Sequence, residues 1–120
     1  MAYKYAMNFD EYQDRAEQTA VYKDKDKLLY TALGLSGEAG EIANKVKKII
    51  RDKDFTDDAV SLLSKEEKES IIKELGDVLW YVSAIATDLN VCLSTVAYIN
   101  YKKLKDRAER NQIGGSGDDR

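Results

Sequence analysis

Residues 28–50, LLYTALGLSGEAGEIANKVKKII, decide the fold. Leu28, Ala32, Leu35, Ala39, Ile42, Val46 and Ile49 recur at alternating steps of four and three. That is the repeat of one buried stripe on a helix; a half-buried strand would alternate at two. Ile71, Leu75, Val78, Val82, Ile85 and Leu89 form a second stripe, and Phe9, Tyr12, Ala16 and Ala97, Tyr101, Leu104, Ala108 form shorter ones. The chain contains no proline, so no helix meets an obligatory break. Asn8 with Glu11 and Ser64 with Glu67 have capping-box spacing, Ser94 suits a helix start, and Asn90 suits a left-handed stop. The pattern predicts helices over 9–20, 26–51, 65–89 and 94–111, with a connector over 52–63 that carries a helical turn near Asp58 to Leu63. The expected fold class is all-α, a four-helix core in a single domain over 1–112, followed by a flexible Gly-rich tail over 113–120.

One segment departs from amphipathic patterning. Residues 78–86, VLWYVSAIA, are apolar nearly all round, so this helix should be central. A chain of 120 residues can hardly surround a helix completely. A homodimer or homotetramer with Trp80 or Tyr81 at the contact is the expected remedy.

Composition removes several chemistries. With no histidine and one cysteine, nucleophile–histidine systems, histidine general bases and the usual zinc sites each lack a part. A ferritin-like di-iron centre, which uses Glu-x-x-His pairs, is excluded as well. Cys92 has no intramolecular partner, no apolar run reaches membrane-spanning length, and Met1 to Asp10 lack the plan of a secretory signal. The expected location is cytoplasmic, with no membrane partner. The net charge of −3 speaks against a general nucleic-acid binder.

The chemistry lies one residue before the stripes. Glu38 precedes Ala39, Glu41 precedes Ile42, Glu74 precedes Leu75 and Asp77 precedes Val78. Each pair is three apart, so its two side chains leave one helix face a turn apart. When the two helices pack, all four carboxylates are expected on one rim. Converging anions raise one another's pKa, and divalent cations relieve that cost; oxygen-only donors suit Mg²⁺, with Mn²⁺ able to substitute. Gly34, Gly37, Gly40 and Gly76 surround the pairs, and each helix-interior glycine costs about 0.5–1 kcal/mol relative to alanine. Close backbone approach explains such a cluster, around a ligand or between packed helices. Asn100, Lys103 and Arg107 repeat the same geometry with donors, a set suited to phosphate oxygens. Lys45 and Lys48, which continue the Glu38–Glu41 row, are expected to be solvated or ion-paired.

These residues point to a family. LGLSGEAGEIANKVKKIIRD followed by KELGDVLWYVSAIATDLN resembles the MazG-like nucleoside triphosphate pyrophosphohydrolases of the all-α NTP pyrophosphatase superfamily. The resemblance runs from FDEYQ through NYKKLKDRAERN to GSGDDR, an ending like those of small single-domain phage and bacterial members. It implies a four-helix core assembled as a dimer or tetramer, with Mg²⁺ bound by Glu38, Glu41, Glu74 and Asp77. It also implies hydrolysis of a (deoxy)nucleoside triphosphate to monophosphate and pyrophosphate, with Asn100 and Lys103 on the phosphates. Two departures stand out: Gly37 occupies a place where many relatives carry a further glutamate, and the connector between the motifs is longer.

The expected reaction is in-line attack of a cation-activated water on the α-phosphorus, with Glu41 taking the proton and Lys103 steadying the leaving pyrophosphate. Tyr12, Gln13, Trp80 and Tyr81 are the candidates for contact with the base. Two other readings of the same residues are a (p)ppGpp pyrophosphohydrolase and a non-catalytic oligomeric helical module.

Overall fold

The computed structural model describes residues 5–53, 58–110 and 114–118. Among them are four α-helices and two 3-10 turns, and no strand. Helix α1 spans Phe9–Glu17, α2 Leu29–Asp52, α3 Lys65–Asp88 and α4 Leu93–Glu109. The 3-10 turns lie at Asp24–Asp26 and Ala59–Leu62, the second capped by the Asp58 carboxylate. Part of the expected connector, residues 54–57, lies outside the described residues.

The local start signals work as read. Asn8 accepts the Glu11 N–H at 2.8 Å, and Ser64 accepts the Glu67 N–H at 3.1 Å. Asn90 takes a left-handed conformation with φ 56° and stops α3. Helix α2 starts later than its periodicity predicts, because Leu28 itself is left-handed, with φ 64°. Asp88, at the far end of α3, accepts from the Leu28 N–H at 2.8 Å and the Thr31 hydroxyl at 2.9 Å, so a distant side chain caps α2. Helix α4 is capped from outside too. Gln13 Oε1 accepts the Leu93 N–H at 2.8 Å, and Asp10 accepts from the N–H and hydroxyl of Ser94. Ser94 therefore sits inside the first turn as a donor to α1 instead of serving as the cap.

Helix α3 is the hub, packing against α2, α1 and α4, as its all-round apolar segment requires. Its Ser83, Ala84 and Ala86 are buried, together with Ala16, Thr31 and Leu93. The chain bends by 100° between α3 and α4. The predicted stripes are only partly covered: Leu28, Ala32, Ala39, Leu75 and Leu89 are exposed, as are Tyr101 and Leu104 on α4, whose buried residues are Leu93 and Arg107. Among the described residues no single helix is long and apolar enough to cross a membrane.

Candidate metal and nucleotide site

Helices α2 and α3 form the most extensive contact in the molecule, and their facing turns carry the acids. One oxygen each from Glu38, Glu74 and Asp77 lies within 4.8 Å of the others. The sequence expected four acids on this rim, and the structure gathers three. Glu41 stays exposed on α2, outside the cluster but near enough to act on it electrostatically. Burial pushes the Glu38 carboxyl above its ordinary value, and the charges of Asp77, Glu74 and Glu41 push it further. Lys45 partly offsets this field: its ammonium lies 3.1 Å from Glu74 Oε1 and donates to Ser70 Oγ at 2.6 Å. Lys45 is thus ion-paired, as expected, and ties Glu74 to the turn of α3 that carries Ser70.

Glu38 and Asp77 also line a cavity of about 360 Å³, whose other walls are Thr19, Val21, Tyr22, Tyr30, Trp80 and Tyr81. Tyr22 stacks on Tyr30 at 5.3 Å between ring centroids, and Trp80 meets Tyr22 edge-on at 6.4 Å and Tyr81 edge-on at 5.0 Å. Trp80 Nε1 donates to Thr19 Oγ1 at 2.8 Å, and the Tyr22 hydroxyl donates to Asp88 at 2.7 Å. Burial raises the Tyr22 phenol well above its usual value, and the Asp88 hydrogen bond adds to this. The Tyr81 phenol is likewise raised, first by burial, then by the Tyr30 hydroxyl and the nearby Glu38 and Asp77. The Tyr12 phenol, on α1, is raised by burial and by the charge of Asp77.

The glycines divide. A Cβ on Gly34 would overlap the Tyr81 ring, so this glycine is the seat of that aromatic wall. Beside Gly37, Gly40 and Gly76 a Cβ would meet nothing within 4 Å, so packing between α2 and α3 does not account for them.

Other expected site residues lie elsewhere. Gln13 is buried against the α3–α4 turn, donating to Thr87 Oγ1 at 3.1 Å and the Val91 carbonyl at 2.9 Å, with its oxygen on Leu93. Its side chain serves the fold. Asn100 is exposed on α4. Lys103 donates to Asp118 Oδ1 at 2.9 Å, and Arg107 donates to the Asp118 carbonyl at 2.7 Å and the Gly117 carbonyl at 3.2 Å. Both cations therefore face residues 117–118, in the segment expected to be a flexible tail. Tyr22, Tyr30 and Thr19 are cavity residues that the sequence reading missed. Tyr22 and Thr19 sit between helices, where periodicity carries no signal, and Tyr30 lies off the four-and-three stripe of α2.

The chain is similar to the Gene 37 protein of Mycobacterium phage L5, with 48% identity over 120 aligned positions covering 95% of this chain and 100% of that relative. No solved structure matches it significantly. Residues 27–111 match the profile described as the MazG nucleotide pyrophosphohydrolase domain, a span that includes all of α2, α3 and α4. The acids on α2 and α3, the all-helical fold and this match over most of the chain agree: the protein belongs to the MazG nucleotide pyrophosphohydrolase family.

Proposed function

We propose that this chain is a divalent-cation-dependent nucleoside triphosphate pyrophosphohydrolase that converts a (deoxy)nucleoside triphosphate to the monophosphate and pyrophosphate. The observation that supports it most is the trio of carboxylate oxygens within 4.8 Å, two of whose residues line a cavity walled by aromatic rings. An all-oxygen donor set fits Mg²⁺ or Mn²⁺, and the upward push on Glu38 is the repulsion such an ion relieves. A cation held there supplies charge neutralisation for the phosphates and a more acidic water.

The side chains then divide the work. Glu38, Glu74 and Asp77 hold the cation, and Lys45 orients Glu74 through its 3.1 Å ion pair. Glu41, exposed one turn along α2, accepts the proton of the attacking water. Attack in line on the α-phosphorus breaks its bond to the bridging oxygen, and pyrophosphate leaves. Asn100 and Lys103 are the phosphate-side donors, whereas Arg107, expected to join them, is buried and committed to the Gly117 and Asp118 carbonyls. Trp80 and Tyr81, with Tyr12, Tyr22 and Tyr30, form the aromatic surface for the base. One divalent cation held by the trio would bring the net charge of −3 to about −1, which repels a phosphate ester less. The proposed working unit is a homo-oligomer, which would cover Leu33, Leu75, Tyr98 and Ile99, left exposed on the protomer.

A nucleotide panel that includes (p)ppGpp, assayed with and without Mg²⁺, tests the reading. Monophosphate and pyrophosphate should form from a nucleoside triphosphate only when the cation is present. Glu38→Gln should abolish turnover while leaving the helical circular dichroism intact. An active Glu38→Gln protein, or release of orthophosphate in place of pyrophosphate, overturns the assignment.

A further inference from the structure

We propose that Asp118 is a resident occupant of the Lys103 cation site, a carboxylate that a phosphate oxyanion must displace in order to bind. The inference rests on the reading of Lys103 as a phosphate-side donor and adds a competitor built into the chain. Its basis is a contrast in burial between two neighbouring cations. Arg107 is 3% exposed, although it lies on a helix whose apolar stripe is largely uncovered. Its terminal nitrogen reaches the main-chain carbonyls of Asp118 at 2.7 Å and Gly117 at 3.2 Å, and the Asp118 carboxylate only at 3.4 Å. Arg107 therefore grips the backbone. Its Nε is buried without a hydrogen-bond partner among the described residues, a cost accepted for holding this segment in place.

Lys103 is placed differently. Its ammonium is partly exposed and lies 2.9 Å from an Asp118 carboxylate that is itself 81% exposed. An exposed pair of this kind is screened and weak, so it yields to a ligand carrying more charge. The path of the chain makes the pairing deliberate. Gly115 and Gly117 take φ of 91° and 83°, the left-handed region that side-chain-bearing residues avoid, and the resulting turn returns Asp118 to α4. A Cβ on Gly117 would meet nothing within 4 Å, so the glycine is needed for its backbone conformation and not for space. The Lys103 hydrogen bond and charge hold the Asp118 carboxyl below the usual carboxylate range. An anion of the chain itself thus occupies the cation that the proposed function assigns to a phosphate.

Calorimetric titration of the full chain with inorganic pyrophosphate, at low salt and without divalent cations, tests the proposal. Asp118→Asn should bind pyrophosphate about two- to fivefold more tightly than the unmodified chain, the gain expected from removing one exposed competing charge. Gly117→Ala, which strains the turn that Arg107 grips and leaves the Lys103 side chain unchanged, should tighten binding in the same direction. Lys103→Gln should lose binding. Unchanged or weaker binding by Asp118→Asn overturns the proposal, as does wild-type binding by Lys103→Gln. Hydrolysis is scored separately. Tightening without any nucleotide turnover leaves this inference standing and removes the enzymatic reading; turnover without tightening does the reverse.

Discussion

Gly34 carries more of the candidate site than its size suggests, because the Tyr81 ring occupies the space a methyl group would need. Gly34→Ala should cost about 1–3 kcal/mol by overpacking and should displace Tyr81 from the cavity wall. Gly37→Ala faces open space and should instead stabilise α2 by about 0.5–1 kcal/mol. Urea denaturation of the two variants side by side checks both signs. Similar residues in one helix thus have opposite roles, which sequence spacing alone could not assign. The same limit applies to the acids. Glu38, Glu74 and Asp77 were legible because four-and-three spacing gives the facing sides of α2 and α3, although Ala39 and Leu75 of those stripes stay exposed. Glu41 has equivalent spacing yet stays outside the cluster, because periodicity gives a residue's face and not its depth along the contact. Gln13 looked like a polar group free to meet a base, and its three hydrogen bonds across the α3–α4 turn were invisible to a local reading.

At the scale of elements, the helices are stapled end to side. Asp88 joins the last turn of α3 to the first turn of α2 and to the Tyr22 hydroxyl, with contacts of 2.8, 2.9 and 2.7 Å. Burial works against its charge, but the bonds from the Leu28 N–H, Tyr22 and Thr31 outweigh it and lower its pKa below the usual carboxylate value. The stabilisation is therefore in force above the unfolded-state pKa of about 3.9 and fades as pH falls through the lower folded value. Asp88→Ala should cost about 2–3 kcal/mol near neutrality, and the gap to the parent should narrow in strong acid. Denaturant melts at pH 7 and pH 2.5 read the difference. The helices themselves were legible from four-and-three spacing and from caps such as Asn8 and Ser64, where the signal is local. The start of α2 and the cap of α4 were not, because Asp88 and the Asp10–Gln13 pair act from other helices.

The molecule as a whole is more open than one closed core requires. Its radius of gyration is 17.2 Å, against about 14 Å for a compact domain of this length. Leu33 and Leu75 are 67% and 52% exposed, so two helices that should close a core leave apolar surface outside it. The protein should run as a homo-oligomer by size exclusion with light scattering. Leu33→Asp combined with Leu75→Asp should reduce the mass toward that of a single chain without loss of the Glu38–Glu74–Asp77 grouping. The central place of α3 was legible in its all-round apolar segment, whereas the uncovered α4 stripe was not, since a stripe announces burial but not by what. Helix α3 also carries Asp77 one turn before Trp80 and Tyr81, so an acid of the cluster and two rings of the cavity wall ride on a single rigid rod. Anyone redesigning base preference from that rod would disturb ion affinity with it. Tyr30 rides with Glu38 on α2 in the same way, so of these rings Tyr22 alone stands outside both acid-bearing helices.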